Sequence, residues 1–120
     1  MTDELVSLVD GENVRRSRWP NLSPDELVEA TREWAARNGA RAIVVFDGGR
    51  PGEGFVDDRT AVVQTGGETA DDWIARRAAE LHEAGRPYLL VTSDRGLRAA
   101  AGGHAERTIG GGSFLRELLA

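Results

Sequence analysis

The sequence predicts an α/β fold, a three-layer sandwich with a parallel sheet between two layers of helix. Three observations predict it. Short, almost wholly apolar runs alternate with amphipathic runs of helical period, the pattern of strand–helix–strand units joined by right-handed crossovers. The apolar runs lack polar alternation, as strands covered on both faces do. They also stop abruptly at Asp, Gly or Ser instead of fading into loops. The 120 residues read as one domain, 1–120, with no repeat, linker or low-complexity tract, and suffice to bury roughly two-thirds of the unfolded chain's surface.

The first strand is expected at residues 5–9, ending at Asp10-Gly11, which reads as a turn. A polar, Arg-rich connection follows. Ser23-Pro24-Asp25-Glu26 then supplies a cap, a proline at the first helical position and acid in the first turn. Leu27, Thr31, Trp34 and Ala35 recur on one face until Asn38-Gly39 stops that helix. Residues 42–46 form a second strand ending at Asp47-Gly48-Gly49, and the glycine-rich stretch from Arg50 to Gly54 reads as a loop, a mobile lid rather than regular structure. Residues 60–64 are a third strand. Thr69 caps a helix whose Ala70, Ile74, Ala78 and Leu81 share a face, closed by Gly85 and Pro87. A fourth strand at 88–91 stops at Thr92-Ser93-Asp94; a short helix from about residue 95 to 101, a fifth strand at 107–109 and a helix around Phe114, Leu115 and Leu118 complete the chain.

Composition removes several classes of function. With no Cys and two His (His82 and His104) there is no thiol nucleophile, no disulfide framework and no usual structural zinc site. All 15 basic residues are Arg, so Walker A loops and Schiff-base enzymes lack their lysine. No G-x-G-x-x-G or G-x-S-x-G is present, and both histidines read as structural or surface groups. Apolar runs of about five residues are far short of a membrane span, and Met1 to Glu4 carry no basic leader, so the expectation is a cytoplasmic protein with no membrane partner. The net charge of −5 argues against a polyanionic partner, unless cations offset the acids at the strand ends.

Three apolar strands end in an aspartate: Asp10, Asp47, and Asp94 just past the fourth strand. In a parallel sheet all carboxyl ends share one edge, so these residues converge. Singly, each is explained as a turn or a helix cap. Asp71 and Asp72 open the second long helix, where acid complements the helix dipole. At 100° per residue Asp71 lies about 90° from the centre of the apolar stripe and can face the sheet edge, whereas Asp72 points nearly opposite it. Gathering several carboxylates raises their mutual repulsion, which hard divalent cations relieve. Mg²⁺ or Mn²⁺ favours such oxygen ligands and supports in-line displacement at phosphorus, the chemistry of a nuclease.

Four motifs carry a resemblance. Leu8-Val9-Asp10-Gly11-Glu12-Asn13 is similar to a D-G-x-N signature, Val45-Phe46-Asp47-Gly48 to an F-D-G turn, Glu68-Thr69-Ala70-Asp71-Asp72-Trp73-Ile74 to an E-T-A-D-x-x-I helix start, and Val91-Thr92-Ser93-Asp94 to a T-S-D turn. In this order they resemble the YacP-like NYN domains of the PIN-like nuclease superfamily. The resemblance implies a five-stranded parallel sheet of order 3-2-1-4-5 and a Mg²⁺- or Mn²⁺-dependent ribonuclease. It implies Asp10, Asp71 and Asp94 as metal-binding acids, with Asp47 and Asp72 as further candidates. The F-D-G aspartate is left to metal, water or backbone. Asn13 would orient the first turn or a phosphate, and Ser93 would bring a hydroxyl near the metal. Two features depart from the family. Glu12 stands where relatives often carry an aromatic or apolar residue, and the chain is shorter than many of them, so that a partner would help position RNA.

For the substrate, Arg15, Arg16, Arg18 and Trp19 follow the Asp10 turn and suit a single strand that stacks and carries phosphate, with a solvated loop and a core-packed Trp19 as the alternative. Arg95 and Arg98 follow Asp94. Trp34 and Trp73 read as core. The partner expected is RNA, as ribosome-associated mRNA or a structured RNA, with a homodimer left open. The leading expectation is an endoribonuclease acting through the acidic strand ends; the alternative is a non-catalytic RNA- or ribosome-binding module of the same fold, and a phosphoacceptor signalling domain ranks third for want of a lysine.

Overall fold

The computed structural model describes residues 4–120; residues 1–3, part of the terminus read as lacking a basic leader, lie outside it. The chain runs β1 (Val6–Asp10), α1 (Gly11–Arg15), α2 (Pro24–Asn38), β2 (Arg41–Phe46), β3 (Gly48–Phe55), β4 (Thr60–Gly66), α3 (Ala70–Glu83), β5 (Tyr88–Val91), α4 (Arg95–Ala101), β6 (Arg107–Ile109) and α5 (Gly111–Leu118). The sheet order is β3-β4-β2-β1-β5-β6. All neighbours are parallel except β3, which runs antiparallel to β4.

This corrects the expected all-parallel sheet of five strands: there are six, and the sheet is mixed. The extra strand is the stretch read as a loop. Its glycines and Pro51 have low strand propensity, but β3 lies at an edge, where such residues are tolerated, and its register with β4 shifts between Gly48 and Gly52. Gly48 and Gly49 take φ of +73° and +68°, which turns the chain past the end of β4. At the hairpin's other end Asp57 Oδ1 accepts the amides of Arg59 and Thr60, both at 2.8 Å. The connection between parallel β2 and β4 is therefore a strand rather than a helix.

Successive residues of the central strands point to opposite helical layers. Val9, Val44, Phe46, Leu89 and Val91 pack with Val14 of α1, Leu27 and Trp34 of α2 and Phe114 of α5. Val6, Leu8, Val45, Val63 and Leu90 pack with Ile74 and Leu81 of α3 and Leu97 of α4. Leu8 is fully buried and sits in register with Ile43 and Leu90, and burying a side chain of that size contributes roughly 1.5 to 3 kcal/mol. Trp34 is core as expected, edge-on to Phe114 with Nε1 donating to Glu117 at 2.9 Å. Trp73 is only half-buried, with the Arg77 guanidinium 5.0 Å from its ring.

The helix caps follow the sequence. Ser23 and Glu26 form a reciprocal capping box, and Thr69 accepts the Asp72 amide. Asp10-Gly11 is not a turn, however: the strand runs straight into α1. A Cβ on Gly11 would lie 2.5 Å from the Phe46 ring and 2.9 Å from the Val45 carbonyl oxygen, so the glycine lets α1 start hard against the end of β2.

Candidate active site

Asp10 is the last residue of β1, in register with Val45, and is 7% exposed. Asp47 directly follows β2, Asp71 lies in the first turn of α3, and Asp94 caps α4 just beyond β5. The parallel strands bring these four aspartates, from four separate elements, to one open cavity of about 540 Å³. Glu12, Asn13, Arg16, Ser17 and Ser93 complete its wall.

Hydrogen bonds fix the wall. Buried Thr92 donates its hydroxyl to Asp10 Oδ2 at 2.8 Å, and the Thr92 Oγ1 itself accepts the Asp94 amide at 3.1 Å. Arg98 Nε donates to the Thr92 carbonyl at 2.9 Å. Asn13 Oδ1 accepts the Ser93 amide at 2.9 Å, and Ser93 Oγ accepts the Gly111 amide at 2.8 Å, so the loops after β1, β5 and β6 are stitched together. Asp94 Oδ1 accepts the Leu97 amide at 2.8 Å, and Asp47 Oδ1 accepts the Ala70 amide at the start of α3. Capping and cavity lining thus coexist in one side chain, because a carboxylate has two oxygens and a helix terminus needs only one of them.

The electrostatics are those of crowded acids. Burial pushes the Asp10 carboxyl from 3.8 up to about 6, against the Thr92 hydroxyl and the Asn13 amide, with Asp71 and Asp47 adding repulsion. Asp71 is raised as well, first by desolvation and then by Asp94, Asp47 and Asp72. The added negative charge of Glu12 is compensated locally: its carboxylate lies 2.9 Å from Arg15 and 3.0 Å from Arg16.

The other residues singled out from the sequence divide. Asp72 is exposed and outside the cavity wall, as its helical angle implies, though close enough to act on Asp71. Arg15 is held by Glu12 and by the Leu22 carbonyl. Arg16 lines the cavity. Arg18 and Arg95 are exposed, and Trp19 is 85% exposed, which overturns the core-packed reading. His82 and His104 stack on each other, 3.7 Å between centroids, and neither lines the cavity. Sequence reasoning gave no role to Thr92, whose only signal was its place inside the T-S-D motif.

Among the described residues no three carboxylates or imidazoles close into a ready coordination shell. The acids ring the cavity instead of meeting at a point. An all-oxygen, solvent-open donor set of this kind fits Mg²⁺ or Mn²⁺, which keep several waters and take one or two carboxylates directly.

This architecture has known counterparts. The family model for the YacP-like NYN domain matches residues 7–119. Rae1 (YacP) from Bacillus subtilis shares 28% identity with this chain at a TM-score of 0.75, over 95% of this chain and 73% of that one. Its W164L mutant gives a TM-score of 0.77 at 28% identity, over 96% and 75%. No curated protein gives a match. On the family match, spanning β1 to α5, the chain belongs to the YacP-like NYN domain family.

Proposed function

We propose that this NYN domain is a divalent-metal-dependent ribonuclease that hydrolyses RNA phosphodiester bonds at the carboxyl edge of its sheet. One observation carries the reading: the fold delivers Asp10, Asp47, Asp71 and Asp94 from four separate places in the chain to a single cavity, where burial first and neighbouring acids second raise the pKa of two of them. A site arranged for stability alone would separate these charges.

Asp10, Asp71 and Asp94 would hold Mg²⁺ or Mn²⁺, with Asp47 beside them and Asp72 outside. The ion, when bound, supplies positive charge to the phosphodiester and lowers the pKa of an attacking water. The chain supplies the geometry. Thr92 holds Asp10 and Asp94 in fixed relation, and Asn13 with Ser93 keeps the neighbouring loops at their spacing. Arg16, although paired with Glu12, presents the nearest cationic group in the cavity wall to an RNA phosphate. Exposed Trp19 and Arg18, on the same connection, suit stacking and charge contact with a single strand.

The test is cleavage of labelled RNA with Mg²⁺ or Mn²⁺, and with EDTA, by the parent protein and by Asp10→Asn and Asp94→Asn. Metal-dependent cleavage lost in both variants is expected. Activity persisting in both contradicts the assignment, and RNA retention in EDTA without cleavage in metal identifies a binding module instead.

A further inference from the structure

The opposite edge of the sheet carries a second cavity of different chemistry. It encloses about 150 Å³ between β2, β3, β4 and the end of α3, and its floor is apolar, built from Val6, Ile43, Ala61 and Leu81. Four arginines, Arg41, Arg59, Arg77 and Arg86, stand in its wall against one carboxylate, Glu53. Two are paired: Arg59 with Glu4, and Arg77 with Glu53 at 3.6 Å. Arg41 donates to the Asp58 carbonyl at 3.3 Å, a contact that leaves its charge uncompensated. No carboxylate among the described residues pairs with Arg41 or Arg86. At the rim Phe55 is 69% exposed.

Because α3 leads from the carboxyl ends to the amino ends of the parallel strands, it links the two cavities. Asp71 begins it, half-buried Trp73 with Arg77 stacked on its ring comes next, and Leu81 reaches the arginine-lined cavity. From Asp71 to Leu81 the helix rises roughly 15 Å. Cationic groups interleaved with aromatic faces are the chemistry that grips single-stranded nucleic acid without reading its sequence.

Resting on the ribonuclease reading, we infer that this cavity is a remote subsite for the RNA strand: Arg41 and Arg86 take a phosphate, Phe55 stacks a base, and the strand follows α3 to the acidic edge. The net negative charge of the protein is no obstacle, because the four clustered aspartates lie at the opposite end of the sheet from these arginines, whose own acidic neighbours Glu4 and Glu53 are already paired.

The experiment measures binding of fluorescein-labelled single-stranded RNA of roughly 4 and 12 nucleotides, two lengths within the range of common single-strand site sizes. It uses Asp94→Asn protein in Mg²⁺, so that the RNA stays intact, with and without Arg41→Gln plus Arg86→Gln, and separately with Phe55→Ala. The longer RNA is expected to bind more tightly than the shorter, and the double substitution to remove that advantage. The salt-dependence slope should drop by about 0.7 per arginine removed. Phe55→Ala should weaken the longer RNA with the slope unchanged, and its exposed side chain makes it a variant that folds. Unchanged affinity and slope in these variants, while the parent protein cleaves RNA, overturn the subsite alone. A parent that neither binds nor cleaves any RNA overturns the ribonuclease reading and the subsite with it.

Discussion

The two edges of the sheet treat charge in opposite ways. At the amino edge acids meet arginines, Glu4 with Arg59 and Glu53 with Arg77, and the charge left over is positive, on Arg41 and Arg86. At the carboxyl edge acids face acids, and Asp10 and Asp71 are both raised by their surroundings. The same strands frame both edges, so the fold does not require the crowding. The difference is what the proposed function accounts for: an edge where acids are gathered at a cost to the stability of the free protein suits a bound cation better than it suits folding alone.

The largest expected effect breaks that arrangement chemically. Asp94→Asn should lower metal-dependent RNA cleavage by about 10²- to 10⁴-fold, on the scale of losing a catalytic group. Its melting temperature should scarcely move, because asparagine keeps the oxygen that accepts the Leu97 amide. Comparing cleavage rates with melting curves checks both halves.

Gly11→Ala attacks the same edge through the backbone. The new methyl would meet the Phe46 ring and the Val45 carbonyl, displacing α1 and with it Asn13. A loss of about 1 to 3 kcal/mol in denaturant unfolding is expected, with reduced cleavage.

Asp10→Asn should have the opposite sign. The native carboxyl binds its proton more tightly than the unfolded one, about 6 against 3.8. Below the lower value both states are protonated and the group is neutral to stability. Between the two values stability falls as pH rises, and above about 6 the full penalty applies. In EDTA at pH 7 the amide should therefore stabilise the protein by about 2 kcal/mol, discounted for the open side of the cavity, and the gain should shrink as pH falls through about 6 and vanish only below about 3.8. Denaturant unfolding of both proteins across that range reads it directly.

The smallest effect is a control from between the edges. Ser7 is buried in the middle of β1, and its hydroxyl has no hydrogen-bond partner among the described residues. Ser7→Ala should be neutral or stabilise by up to about 1 kcal/mol, with cleavage unaffected, because an unpaired buried hydroxyl is removed.

The frame of this molecule is written in local patterns, and those are what a sequence exposes. The apolar runs at β1, β2, β4 and β5, the capping box at Ser23 and Glu26, and the aspartates closing the strands all lie within a few residues of their own explanation. Parallel topology then carries Asp10, Asp47, Asp71 and Asp94 to one cavity without further information. What stayed hidden depends on distant partners. β3 is a strand because β4 offers it an edge, not because Gly49, Pro51 or Gly52 favours extended structure. Thr92 matters through Asp10, far away in the chain, and the charge of Glu12 is offset by a one-turn helix that its sequence did not announce. Trp19 lay open between core and surface because an aromatic beside proline suits either; its exposure follows from where α1 delivers the chain.

Calorimetric titration of Mn²⁺ into the parent protein, Asp10→Asn and Asp94→Asn tests the central claim most directly. The account requires saturable binding to the parent, with proton release when the titration is run near pH 6, where a metal must displace the proton held by Asp10. Binding should be lost or strongly weakened in both variants. A parent that gives no binding heat in any buffer, or variants that bind as the parent does, would contradict it.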